Sequence, residues 1–327
     1  MFVSPHRVRH GLNSLRPWEF PRLKVVQSIV NRVCPAIVQL LLLSVVAVSS
    51  GGASAAAYRL PENGDSVVGA VTRIRLKYED TLAAIAQRFA VGYRELLDAN
   101  PDVDPWLPGE GTMIKLPTEY VLPDTPRDGL VINIPEFRLY FYPAGQNRVV
   151  TYPVGIGRLS FPTPLVQASV VTRIENPSWT PTAAARREHA EMGDPLPPVV
   201  PPGPDNPLGR LALQISVPGY FIHGTNKPFG VGQMVSHGCI RLYDEHIETL
   251  VELVPNGTPV YIINQPLKLG WRNSVLYAES HKDLYEDSTR TELIQKIVDA
   301  TGDHAASVDW RLVDQVLSDM TGIPVKI

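Results

Sequence analysis

Two segments hold most of the side chains able to do chemistry: His223-Gly224-Thr225 and Ser236-His237-Gly238-Cys239-Ile240-Arg241. The chain has two cysteines, and the other, Cys34, lies in an N-terminal stretch with the features of a removable leader. Cys239 is therefore expected to stand alone in the mature protein, without a disulfide partner. An inert buried thiol, a metal ligand and a nucleophile are the uses that remain. As a nucleophile it needs a base, and His223 or His237 supplies one, by forming an ion pair or by taking the proton during attack. Adjacent N–H groups in the Gly238-Cys239 turn would hold an oxyanion, which a glycine makes sterically easy. As a zinc site, His223, His237 and Cys239 provide three ligands. His237 and Cys239 lie only two apart, however, and no second close-spaced pair supports them, so no metal is expected, and no other cofactor. An inert thiol leaves the surrounding histidines and glycines without a packing explanation.

The elements that must position these residues read mainly as β. Period-two alternation marks strands at residues 130–134, 138–142, 149–154 and 165–174, then at 211–217 and 220–223, where His223 ends the last. After the cysteine, Asp244 is expected to cap a helix with Ile247, Leu250, Val251 and Val254 on one face, and Asn256-Gly257 turns the chain into a strand at 259–263. Residues 179–208 break the pattern with a short helix at 183–191 and seven prolines from Pro195 to Pro207. A long ordered loop within a β domain is more often a binding loop or lid than a tether, and a lid is expected.

Upstream, residues 71–117 form a self-contained strand-helix-helix-strand pattern. Asp80-Thr81 provides an N-cap, Leu82, Ile85, Ala86 and Phe89 one apolar face, and Tyr93, Leu96, Leu97 and Ala99 a second. Residues 118–127 read as a linker. Downstream, residues 265–327 carry two amphipathic stripes, Leu293, Ile294, Ile297 and Val298, then Leu312, Val313, Val316, Leu317 and Met320. Both are expected to pack on the catalytic domain. Trp271 and Val275-Leu276-Tyr277 would extend its sheet or lie alongside it.

Composition is that of a globular protein of two or three domains, 44% apolar and 19% charged in 327 residues. The first 57 residues hold six Lys or Arg against Glu19 alone, and removing them leaves 24 basic and 32 acidic residues, a net of −8. No footprint for nucleic acid or anionic lipid is present. A basic stretch to Arg32, an apolar run of 16 residues at 33–48 and the A-x-A sites Ala53-Ser54-Ala55 and Ala55-Ala56-Ala57 read as a signal peptide over 1–57. The apolar run is short of the roughly 20 residues of a membrane span. A start near Val25 would shorten the basic region.

His223-Gly224-Thr225, Val231-Gly232 and Ser236-His237-Gly238-Cys239-Ile240-Arg241-Leu242 resemble the signature of the L,D-transpeptidase (YkuD-like) catalytic domain, over residues 128–264. Asp80-Thr81-Leu82, Ile85-Ala86, Asn100-Pro101, Pro108-Gly109 and Leu116-Pro117 resemble the lysin motif (LysM), a module that binds cell-wall glycan. The combination is similar to the periplasmic ErfK/YbiS-type branch of Gram-negative bacteria. The resemblance implies a mainly β sandwich or barrel with a short helix after the nucleophile loop, a small βααβ module before it and a helical extension after it. It also implies acyl transfer on peptidoglycan stem peptides. Cys239 attacks a donor tetrapeptide, releasing D-alanine, and a diaminopimelate amine or the lysine of an outer-membrane lipoprotein resolves the thioester. Water as acceptor would make the chain a carboxypeptidase or lipoprotein-releasing hydrolase, and a chain without turnover would be a wall-binding module. By the same resemblance His223 is the base, the Gly224 carbonyl orients it, and His237 and Gly238 shape the oxyanion turn; Thr225 is expected to contact substrate, and Ser236 either to contact it or to fix the loop. Arg241 either places the substrate or braces the loop, against the plainer alternative of a salt bridge to Asp244 or Glu245. A thiol of lowered pKa in an oxidising compartment would also need a periplasmic reductant.

Overall fold

A computed structural model describes residues 55–62, 64–302 and 307–327. The expected leader, Cys34 included, lies outside them except for Ala55, Ala56 and Ala57. The last two open strand β1 (Ala56–Arg59), whose ladder runs antiparallel to residues 148–151, Ala56 opposite Thr151. Of the two expected cleavage points, the one after Ala55 would leave this strand whole.

Next come β2 (Val67–Gly69) and β3 (Thr72–Arg75), helices α1 (Leu82–Arg88) and α2 (Tyr93–Asp98), and β4 (Met113–Leu116), which pairs antiparallel with β3. Thr81 caps α1, its hydroxyl accepting the Ala84 N–H at 3.2 Å. The Asn100 amide donates to the carbonyls of Leu96 and Lys115, each at 2.8 Å, and so ties the end of α2 to β4. Leu76, Leu82, Ile85, Leu96, Ile114 and Leu116 close a core inside this βααβ module.

The stretch expected to be a linker is instead structured. Strand β5 (Glu119–Val121) pairs with β2, and Tyr120, Val121 and Leu122 are buried. Proline and aspartate around it suggested a tether, but Tyr120 and Leu122 have a surface to cover. They join Val68 over Val131, Tyr140, Tyr142 and Val149 on the outer face of the main sheet.

That sheet takes in β6 (Gly129–Asn133), β7 (Arg138–Tyr142), β8 (Arg148–Pro153), β10 (Val166–Glu175), β11 (Leu211–Ile215), β12 (Phe221–His223), β14 (Ile240–Arg241) and β15 (Pro259–Ile263). The short strands β9 (Ile156–Gly157) and β13 (Met234–Ser236) pair with each other beside it. Nine strands run in the order β1-β8-β7-β6-β15-β10-β11-β12-β14. Side chains from β8, next to the β1 edge, to β14 at the other edge meet in one core, so the sheet curls around it. Between β10 and β11 lies α3 (Ala183–Glu191), in the segment expected to form a lid. Helix α4 (Asp244–Leu253) fills the curl with Ile247, Leu250 and Val251. Strands β6 and β7 are buried on both faces, so their apolar residues run on where an alternation of period two was expected.

Beyond residue 265 the chain is not only helical. Strands β16 (Leu267–Arg272) and β17 (Val275–Ser280) form a hairpin through Asn273 and Ser274, both at positive φ, and β18 (Val325–Lys326) adds to β17. Helices α5 (Arg290–Thr301) and α6 (Trp310–Asp319) place Ile297, Val313, Val316 and Leu317 against Leu267 and Ala278 of that sheet. Their stripes therefore pack on a core of their own and not on the catalytic one. A buried charge cluster fastens this sheet to the rest. Lys268 Nζ reaches Glu136 Oε2 (2.5 Å), Glu279 Oε1 (2.8 Å) and the Val121 carbonyl (2.6 Å).

Candidate active site

The site grows out of the pairing of β12 with β14. These strands run parallel, with Ile222 opposite Ile240 and His223 opposite Arg241. Ile222 and Ile240 face the core. Because side chains alternate along a strand, His223 and Arg241 take the opposite face, and Cys239, two residues before Arg241, shares it. The His223 ring is buried, with Nδ1 2.5 Å from the Gly224 carbonyl oxygen. A carbonyl only accepts, so Nδ1 carries the proton and the Nε2 lone pair is left for another partner. Burial first, then the Arg241 charge, push the His223 pKa down to about 3, against a smaller opposing effect of the Gly224 bond. The imidazole is neutral at physiological pH.

Gly224 has no room for a side chain, since a Cβ would fall 2.3 Å from Asp244 Oδ1. That carboxylate was expected to cap α4. It accepts the Thr225 N–H instead (2.8 Å), because the helix begins one residue too early for Asp244 to be the cap. Buried Thr225 turns its hydroxyl to the Lys227 N–H (3.0 Å), which makes it a brace of the loop and not an exposed substrate contact.

The turn carrying the thiol is fixed from several sides. Ser236 Oγ donates to the Cys239 carbonyl (2.6 Å) and accepts the Gly238 N–H (3.1 Å). Both bonds of this buried hydroxyl lie inside the turn and fix its shape, the loop-fixing alternative for Ser236. Gly238 sits at φ +106, and a Cβ there would lie 2.8 Å from the Tyr220 ring. Its carbonyl accepts the Thr163 hydroxyl (2.9 Å), and the Thr163 carbonyl accepts the Tyr285 hydroxyl (2.8 Å). Sequence reasoning passed over Thr163 and Tyr285, which belong to distant segments without a local motif.

Cys239 is half-buried, its Sγ 3.7 Å from the Gly219 carbonyl oxygen. Burial raises its pKa, partly offset by the Phe221 backbone and by Arg241. Burial thus favours the thiol over the thiolate at rest. A cavity of about 340 Å³ opens in front of it, lined by Trp179, Ala185, Leu208 and Phe221 among others. The 179–208 segment thus covers the cysteine.

His237 points to that cover. Its Nε2 is 3.0 Å from Glu188 Oε2 on α3 and 2.9 Å from Arg158 Nη2, while Arg158 grips Glu188 with both terminal nitrogens. Arg158 foremost, then His237, hold the Glu188 pKa down to about 2. Neither Arg158 nor Glu188 was singled out by sequence, since they meet His237 only through the fold. The zinc alternative finds no geometry: the ligand atoms of His223, His237 and Cys239 do not converge, and the one converging set among the described residues is Glu136, Glu279 and His281. Lys268 already bridges those two carboxylates.

Arg241 has no carboxylate partner among the described residues, and its Nε is buried without a hydrogen bond. The salt bridge to Asp244 or Glu245 does not form. Asp244 is engaged by Thr225, and Glu245 accepts from Gln87 at 3.4 Å.

Residues 127–262 match the family model described as YkuD, the L,D-transpeptidase catalytic domain. The chain is 40% identical over 287 residues to the probable L,D-transpeptidase YbiS of Escherichia coli (strain K12), an alignment covering 84% of this chain and 93% of that protein. It is 40% identical over 291 residues to the probable L,D-transpeptidase YcfS of the same strain, covering 84% of this chain and 89% of YcfS. To the probable L,D-transpeptidase ErfK/SrfK of Salmonella typhimurium (strain LT2) it is 40% identical over 283 residues, 84% of this chain and 91% of the relative. With relatives matched along nearly their whole length and the catalytic domain matched by its family model, the chain belongs to the L,D-transpeptidase family.

Proposed function

We propose that the chain is a periplasmic peptidoglycan L,D-transpeptidase that works by cysteine acyl transfer. The observation that carries this reading is the shared face of His223, Cys239 and Arg241, with the His223 Nδ1–H bound to the Gly224 carbonyl and the ring neutral. Neutral His223 takes the thiol proton as Sγ attacks the donor carbonyl. Collapse of the tetrahedral intermediate breaks the amide bond, and the same imidazole returns the proton to the departing D-alanine amine, leaving a thioester. An acceptor amine, of diaminopimelate or of a lipoprotein lysine, then displaces the thiol. The Gly238 N–H is engaged by Ser236, so the Cys239 N–H is the turn's donor for the oxyanion. Arg241, unpaired and on the same face, adds positive charge where the intermediate becomes negative. His237, bound to Glu188, couples the turn to the cover, which excludes water in favour of the amine.

The βααβ module is read as a lysin motif that holds a glycan strand, and the leader as an export signal cleaved after Ala55. Incubating the mature protein with a disaccharide tetrapeptide, with and without a diaminopimelate acceptor, and following the mixture by mass spectrometry tests the reading. A Cys239 acyl adduct and a crosslinked product one D-alanine lighter than the two reactants are expected. Free tripeptide alone would make the chain a hydrolase, and no adduct would leave a wall-binding module.

A further inference from the structure

The turn that walls Arg241 is not held by the catalytic sheet alone. Residues 228–230 form a single 3-10 turn, and Gly230 lies so close to the guanidinium that a Cβ would be 2.5 Å from Nη1. Two residues on, Gly232 is at φ +77 with its backbone against the start of α2, where a Cβ would be 2.3 Å from the Tyr93 nitrogen. Its carbonyl accepts the Arg94 N–H at 3.2 Å, while its own N–H donates to the Val154 carbonyl at 3.1 Å. The Phe229 ring packs 5.0 Å from Tyr93 and 6.1 Å from Trp106, both on the βααβ module. One residue beyond Arg94, Glu95 makes a two-point buried salt bridge to Arg138 of β7, each bond 2.7 Å. The segment between the two candidate catalytic residues is therefore pinned between the sheet on one side and α2 on the other.

From these contacts we infer that the βααβ module is a positioning element of the active site, holding Arg241 in place through Phe229, Gly230 and Gly232, apart from any glycan it binds. Phe229 and Gly232 are positioning residues in this scheme, since neither touches the thiol. The inference rests on the acyl-transfer reading for its kinetic test only. An exposed tether could let the module drift, but a fixed seam makes it part of the loop's packing, and a packed element transmits displacement to its neighbours.

The full mature chain is compared with Phe229→Ala, Gly232→Ala and the conservative Phe229→Tyr. Phe229 is half-exposed, so its truncation leaves the cores intact. Three readouts are taken: hydrogen exchange over residues 228–241, the pH profile of Cys239 alkylation by iodoacetamide, and turnover of a sugar-free tetrapeptide. The sugar-free donor removes glycan binding from the comparison. Phe229→Ala and Gly232→Ala are expected to speed exchange in the turn, to move the alkylation midpoint to higher pH as Arg241 withdraws, and to lower kcat about fivefold with KM little changed. Phe229→Tyr restores all three. Unchanged exchange and alkylation profiles in both the alanine variants would overturn the inference, as would a loss of melting temperature with kcat per folded molecule intact. If the unaltered protein alkylates but never turns over, the transfer reading fails, and exchange and alkylation still decide this one.

Discussion

His223 and Arg241 stand opposite each other on parallel strands β12 and β14, so a guanidinium with no carboxylate partner among the described residues lies beside the imidazole of the candidate base. This arrangement has a cost that depends on pH. Burial and the Arg241 charge put the folded His223 pKa at about 3, whereas an unfolded imidazole titrates near its ordinary 6.5. Between those values the unfolded chain binds a proton that the folded chain does not, so this contribution to stability is full above about 6.5 and is lost as pH falls toward about 3. The slope approaches ~1.4 kcal/mol per pH unit. Urea midpoints measured from roughly pH 4.5 to 7.5 are expected to flatten in His223→Gln relative to the unaltered protein. Parallel curves for the two would show that His223 is not buried neutral.

The raised pKa of Cys239 separates two ways of activating a thiol. A preformed thiolate-imidazolium pair would make alkylation level off well below neutral pH, as it does for cysteines of low pKa. With a protonated thiol and a neutral His223, alkylation by iodoacetamide is expected instead to keep rising with pH through the ordinary thiol range. A plateau below about pH 6 would contradict the proposed proton transfer during attack. Cys239→Ala is expected to abolish both alkylation and the acyl adduct while leaving the melting temperature close to that of the unaltered protein.

The strands, the helix after Cys239 and the loop carrying that cysteine were legible because each rests on a local signal. Runs of β-branched and aromatic residues gave β6 and β7 to the residue or nearly so, and the i, i+3, i+4, i+7 stripe gave α4. Local signals also placed His223, Gly224 and Cys239 together. What stayed hidden is what only pairing across long separations creates. Val121 and Lys268, 147 residues apart, turn an expected linker into a packed strand. Asp244 looked like a helix cap, since acidic residues favour that place, yet the Thr225 amide outcompeted the helix terminus for it. The hairpin at Asn273-Ser274 was missed because neither residue is glycine, although asparagine tolerates positive φ. The partners of His237 come from α3 and from the residue after β9, with no motif to announce them.

Glu188 joins the cover to the Cys239 turn, and its removal should be felt on both. In Glu188→Ala, His237 and Arg158 lose their common anion, and α3 loses its tie to the turn. Hydrogen exchange over 183–191 is expected to quicken. With a looser cover, water competes better for the thioester, so free tripeptide should rise relative to crosslinked product at a fixed acceptor concentration. Unaltered exchange together with an unaltered product ratio would mean that the contact is incidental to the cover.

The Glu95–Arg138 pair joins the βααβ module to the catalytic sheet in a site closed to water, with Arg138 also stacked 4.4 Å from the Tyr120 ring and bound to Thr151. Removing one partner leaves the other charge buried without compensation, so Glu95→Ala is expected to destabilise the protein by about 3–5 kcal/mol. Replacing both with methionine removes the stranded charge along with the attraction. The double variant should therefore lie well above Glu95→Ala in urea midpoint, even though it has lost more polar contacts. A double variant as unstable as the single one would mean that the seam depends on the ion pair itself and not on filled, desolvated volume.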